Sequence, residues 1–253
     1  MKVTKILGFT VFAVSLQAVQ IPDHLWHHSH SMGRGAGRAR PLDHAPTPAQ
    51  ILGPFFPVRF PEETDPDLTH VDRVEAKGVK IYVNGRVFDT QSQPVVGAVV
   101  EIWQACQAGS YNHPADSNPA PRDPNFQYYA STITDADGGY LFKTIVPGPY
   151  PAEGDWVRPS HIHFKVTHRG HHVLVTQLYF NGKTFGIQEL AQFNGKPVTG
   201  LDLDKLNEAD HLLRELSQED RDQLIVKFLP HPRFDSPAGL FDLYLEKTAE
   251  SDL

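Results

Sequence analysis

The chain has one cysteine, Cys106, in 253 residues, so no intramolecular disulfide can form. Stability must therefore come from packing, with or without a metal. No block of basic residues stands out and the formal charge is −7, which argues for solubility and against nucleic acid as a partner. No Asn-x-Ser/Thr acceptor occurs either. No apolar run reaches the roughly 20 residues that cross a bilayer, so no membrane association is expected of the mature form. One run, Ile6 to Leu16, follows Lys2 and Lys5 and leads to small residues at Ala13-Val-Ser15 and Ala18. Residues 1–18 accordingly read as a secretion signal, and the mature protein as extracellular.

What the chain has in quantity is proline and glycine, 21 and 19, between short apolar runs. That combination favours a turn-rich β protein over a helical one, and the length fits one domain with appendages. Residues 19–46, with His24, His27, His28, His30 and a Gly/Arg stretch, read as a flexible linker. The folded domain is expected over 47–247, and 248–253 as a tail. Val79–Val87 alternates, Asp89–Pro94 reads as a turn and Val95–Gln104 is a second run, which suggests an antiparallel pair. Tyr128–Thr134 and Tyr140–Ile145 flank Asp135-Ala-Asp-Gly-Gly139, a hairpin turn with glycines at positive φ. Val173–Phe180 and Gly239–Leu245 complete the strands, and Asp204–Leu216 fits a short amphipathic helix. Ser217-Gln-Glu-Asp220 resembles a capping box. The expected fold is all-β: an antiparallel β-sandwich of transthyretin-like or immunoglobulin-like type, with long loops and one or two short helices.

The chemistry concentrates in Pro147 to Phe164. His161-Ile-His-Phe-Lys-Val166 is an apolar strand whose side chains alternate, so His161 and His163 share one face while Ile162, Phe164 and Val166 supply packing. Neutral imidazole is the commonest metal-binding side chain, so the pair forms half of a metal site. Tyr150 lies between Pro149 and Pro151, both of fixed φ, and Arg158 precedes Pro159. Taken alone, an H-x-H strand is more often two ordinary polar residues than a ligand pair. Singly, Tyr111 reads better as a loop surface residue, Tyr150 as a packing residue, Gln177 as a polar strand residue and Arg158 as the ion-pair partner of Glu153 or Asp155.

Four segments nevertheless occur in a distinctive order: GRVFDTQSQPVVGAVVEIWQACQAGSY, TDADGGYLFKTIVPGPYP, RPSHIHFKV and TQLYF. Over about Thr47 to Asn181 the chain resembles the intradiol ring-cleavage dioxygenases, in particular the protocatechuate 3,4-dioxygenase-like group. The resemblance implies a non-haem Fe(III) held by Tyr111, Tyr150, His161 and His163, with Tyr150 leaving the iron when a catecholate chelates it. It implies that Arg158 faces the bound substrate with Gln177 beside it, and that Leu52, Gly53, Pro54 and Phe55 wall the pocket. The implied reaction is cleavage of catechol-type aromatics by O2 to cis,cis-muconate products, by a monomer or homo-oligomer. Ala152 stands where one protocatechuate-type subunit has tryptophan, and Phe55 where some relatives have tyrosine. Two other readings stand beside it: a non-catalytic secreted β-sandwich binding module, and a zinc or copper hydrolase built on the H-x-H pair.

Overall fold

The computed structural model of the chain describes residues 44–182 and 202–249, with the backbone of Gln192–Phe193 and Lys196–Pro197 between them. The expected signal 1–18 and nearly all of the expected linker 19–46 lie outside the described residues. The strands are β1 His70–Val71, β2 Val74–Glu75, β3 Lys80–Asp89, β4 Val99–Trp103, β5 Tyr129–Ile133, β6 Gly139–Ile145, β7 Tyr150–Pro151 and β8 Val157–Arg158. They continue as β9 His161–Thr167, β10 Leu174–Phe180, β11 Gln192–Phe193, β12 Lys196–Pro197, β13 Ile225–Val226, β14 Ala238–Leu240 and β15 Leu243–Leu245. Three short helices fall between β12 and β13: α1 Leu203–Ala209, α2 His211–Arg214 and α3 Gln218–Leu224.

Two sheets face each other. One has the order β13-β10-β9-β4-β5; in the other, β3 pairs with β6 on one side and with β14 and β15 on the other. β3 shows why they pack: its residues alternate between half-buried and buried along its whole length, so one face is solvated and one lies in the core. Ile81, Val83 and Val87 meet Val100, Ile102, Ile162, Phe164, Val166 and Leu178 in a single cluster. Phe164 touches Phe142, Tyr140 and Phe241 of the opposite layer at ring distances of 6.5, 6.1 and 5.2 Å. Burying such a side chain contributes roughly 1.5–3 kcal/mol. The fold is the expected β-sandwich, and the sheets do not close into a barrel.

Several local expectations are corrected. The runs 79–87 and 95–104 meet only at the turn between them, where Val95 N–H donates to the Val87 carbonyl and Phe88 bridges to Pro94, and do not pair along their length. β3 takes β6 as its antiparallel partner and β4 lies between β5 and β9, so the turn after Asp89 crosses from one sheet to the other. Each run buries one face against the same core from opposite sides, which direct pairing would forbid. Parallel pairs occur at the margins, β10 with β13 and β3 with β14 and β15. The terminal strand is split at Phe241-Asp242, where Phe241 donates its N–H to Asn84 and Asp242 accepts from Arg86 N–H. The single helix expected over 204–216 breaks at Asp210, whose carboxylate accepts from Leu212 and Leu213 N–H and starts α2. That break raises the helices among the described residues to three. Ser217 caps α3 as expected. Asp135–Gly139 is a tight turn with Gly138 at φ +75°, but not the expected hairpin: β5 pairs with β4 and β6 with β3, so this turn also crosses between the sheets. Among the described residues no helix is long and apolar enough to cross a membrane.

Candidate metal centre

β9 has a second working face. With Ile162, Phe164 and Val166 turned into the sandwich, His161 and His163 point to the other side of the five-stranded sheet. Register places Trp103 of β4 and Gln177 of β10 on either side of His163, and Tyr179 beside His161. The Trp103 indole stacks flat on the His163 imidazole, with centroids 4.8 Å apart and an interplanar angle of 5°. This fixes the ring plane of one histidine.

Loops cover that face and bring the oxygens. The β7–β8 hairpin sets Tyr150 directly opposite Arg158. Tyr111 comes from the loop after β4, held by its own N–H donating to Asp116 Oδ2 at 2.6 Å and by Ser110 Oγ donating to the Ala120 carbonyl at 2.6 Å. The two phenol rings meet edge to face, 5.4 Å apart. The segment ahead of β1 is tied along β10, with Gln50 N–H donating to the Val175 carbonyl and Thr176 Oγ1 to the Pro48 carbonyl. Gly53, at φ +74°, then passes over the histidine, where a Cβ would stand 3.1 Å from His163 Cε1. Phe55 packs on Tyr111 at 4.6 Å and on Tyr150 at 6.1 Å.

Four donor atoms converge. His161 Nε2 lies 3.2 Å from His163 Nε2 and 3.4 Å from each of the Tyr111 and Tyr150 hydroxyl oxygens. His161 Nδ1 is 2.7 Å from the Pro159 carbonyl, which can only accept. Nδ1 therefore carries the proton, and Nε2 presents a bare lone pair to the centre. Burial, and then the Arg158 charge, holds both imidazoles well below the usual histidine range, so both are neutral and able to bind a cation. Burial pushes both phenols up, most strongly Tyr111, while Arg158 pulls in the opposite direction. His163 Nδ1 is buried with no hydrogen-bond partner. Two neutral nitrogens and two hard phenol oxygens around one point, otherwise shut off from water, fit a small, highly charged cation that displaces the phenol protons.

Residues 51–219 match the family model described as "Dioxygenase". The chain belongs to the intradiol dioxygenase family. It is 42% identical over 156 residues to the protocatechuate 3,4-dioxygenase beta chain of Burkholderia cepacia, covering 58% of this chain and 65% of that one. It is 36% identical over 146 residues to a catechol 1,2-dioxygenase of Candida albicans, covering 53% of this chain and 46% of that one. The chain thus spans between about half and two thirds of the length of these curated relatives. Among solved structures, the dioxygenase domain of a dioxygenase–carbohydrate-binding fusion from Streptomyces sp. SirexAA-E is 28% identical with a TM-score of 0.55, covering 81% of this chain and 100% of that one.

In this family member the structure brings together Tyr111, Tyr150, Arg158, His161, His163, Gln177, Gly53 and Phe55. Leu52 and Pro54 belong to the same segment, but both are exposed. Arg158 pairs with neither Glu153 nor Asp155. It is buried, with Nε donating to Asp210 Oδ2 at 2.8 Å and Nη2 to Gln177 Oε1 at 2.7 Å. Sequence reasoning missed Asp210, Tyr179 and the role of Trp103. Alternation along β10 contains the signal for Tyr179, two residues beyond Gln177 on the same face. Asp210 is 52 residues from Arg158, within an amphipathic pattern that gives no sign of the pairing.

Proposed function

We propose that the chain cleaves catechol-type aromatics between their hydroxyl-bearing carbons, using O2, at a non-haem Fe(III) held by Tyr111, Tyr150, His161 and His163. The convergence of the four donor atoms on one buried point carries this reading, and the family of the matched relatives supports it. A ferric ion there would bind both oxygens of a catecholate and draw electron density from the ring, opening it to O2. Both oxygen atoms of O2 end in the product, a muconate with two carboxyl groups, so the catechol and O2 balance without a further reductant.

The chain's own groups have distinct tasks. Tyr150 Oη, on a two-residue strand, would take one catechol proton when it enters the reaction as a phenolate. Arg158 offers its remaining N–H donors, on Nη1, to the negative charge that develops on the substrate, and Gln177 and Tyr179 hold its guanidinium. Phe55 and Gly53 close the site and exclude water. The binding-module alternative is not favoured, because the matched relatives are dioxygenases. Export through residues 1–18 is part of the proposal, supported by Lys2, Lys5 and the apolar run Ile6–Leu16. N-terminal sequencing of protein recovered from the medium tests it.

The test of the activity is a visible spectrum of the iron-loaded protein before and after anaerobic addition of catechol. A tyrosinate-to-iron band that moves to longer wavelength, followed by muconate formation when O2 is admitted, is the expected result. A protein that stays colourless after iron reconstitution would refute it.

A further inference from the structure

Arg158 has five N–H donors, and their partners can be counted. Nε donates to Asp210 Oδ2 at 2.8 Å, while Nη2 donates to Gln177 Oε1 at 2.7 Å and to Tyr179 Oη at 3.1 Å. Among the described residues no acceptor meets Nη1, so its hydrogens are what remain for a ligand. Arginine grips a carboxylate through two parallel N–H bonds along one edge of the guanidinium. Neither edge is free here, since one runs through Nε and Nη2 and the other shares Nη2. Arg158 is thus a one-point donor, matched to a single oxygen.

Its charge is also matched. Asp210 is fully buried and cannot swing aside, because its Oδ1 accepts from Leu212 and Leu213 N–H at 3.1 Å each. A second carboxylate, Asp116, holds the Tyr111 backbone at 2.6 Å, and Phe55 supplies an apolar wall. The charged side chains bonded into the site therefore leave no surplus positive charge.

We propose that Asp210 sets substrate choice: by holding Arg158 at Nε and matching its charge, it makes the site select catechols with uncharged ring substituents over those carrying a carboxylate. This rests on the catechol-cleaving reading above. The test compares kcat/KM for 4-methylcatechol and 3,4-dihydroxybenzoate, substituents of similar size, in the wild-type protein and in Asp210→Asn. Asparagine caps a helix as well as aspartate does and can still accept from Nε, so the variant removes the charge and keeps the shape. The wild-type protein is expected to favour 4-methylcatechol by about tenfold or more, the scale on which a pocket discriminates small substituents. Asp210→Asn is expected to shift the ratio toward the carboxylate by about fivefold or more, because the Arg158 charge is then unmatched in a buried site. A purely structural role would slow both substrates in proportion, and an unmoved ratio overturns the proposal. So does a wild-type preference for 3,4-dihydroxybenzoate, which decides the matter even if Asp210→Asn does not fold. A wild-type protein that turns over neither compound and shows no anaerobic colour shift refutes the catechol reading itself, and this inference with it.

Discussion

Replacing Gly85 by alanine tests how the second sheet is held. Gly85 sits on the core face of β3, opposite Tyr140 of β6, where the segment carrying Phe241 crosses it. A Cβ there would stand 2.0 Å from the Phe241 carbonyl oxygen, 2.7 Å from its carbonyl carbon and 2.9 Å from the Tyr140 hydroxyl. Carbon and carbonyl oxygen settle at about 3.3 Å even in close C–H···O contacts, so the Phe241 backbone would retreat by about 1.3 Å. Three bonds are strained by that movement: Tyr140 Oη to the Phe241 carbonyl, Phe241 N–H to the Asn84 carbonyl at 2.8 Å, and Arg86 N–H to Asp242 Oδ1 at 2.9 Å. At about 1 kcal/mol each they amount to about 3 kcal/mol. Alanine returns up to about 1 kcal/mol by restricting the unfolded chain. The net loss should be about 2–3 kcal/mol, or about 5–10 °C in Tm for a domain of this size. Thermal melts of the two proteins at equal iron content measure it. Turnover per folded molecule at 25 °C should change little, because Gly85 belongs to the sheet that carries none of the site residues. A melting point within 1–2 °C of wild type, about 0.5 kcal/mol on the same scale, would mean that Phe241 yields freely and that the crossing does not anchor β14 and β15.

Two further outcomes are expected. Tyr111→Phe removes one of the converging oxygens without opening a cavity, and should weaken the visible band and lower kcat by at least about a hundredfold; normal colour would remove Tyr111 from the ligand set. The second concerns acid stability. Burial opposes ionisation of Asp89, but the Lys247 ammonium at 2.7 Å and the Gln93 and Gln91 N–H groups outweigh it and hold the carboxyl below its usual range. A depressed folded pKa gives stability that is present above the unfolded value near pH 4 and is lost as pH falls through the folded value. Asp89→Asn should therefore flatten the acid limb of the stability profile below about pH 4 while lowering stability at pH 7, and an unchanged acid limb would show that the turn contributes nothing there.

β3 and β6 fall within one or two residues of their alternating runs, because period-two burial is a local property. β9 and β10 bury both faces and were legible as short apolar runs between turns. Their partners were not legible. Nothing in Val79–Val87 says that its neighbour is Tyr140–Ile145 and not the run that follows it, since pairing is decided by which faces share a core. The site divides in the same way. His161, His163, Tyr150 and Arg158 lie within one short stretch and the motif announced them, whereas Tyr111 and Gln177 emerged only through family resemblance. Asp210 was invisible because its carboxylate does two things at once, capping α2 and matching Arg158, and an aspartate in a helical pattern is unremarkable until the fold folds back on it.

β9 separates two environments by the thickness of a single strand. Phe164 and Ile162 press on the sandwich while His163 and His161, their immediate neighbours, set the positions of two nitrogens on the reverse side. Backbone displacement is shared by both faces, so a repacked interior cannot stay private to the interior. Changes behind the sheet, such as Phe164→Leu, would alter the histidine geometry without touching any group near the donors. The site thus works as a strain gauge for the core, and natural variation in the packing residues becomes a route by which its chemistry can drift while every ligand stays in place.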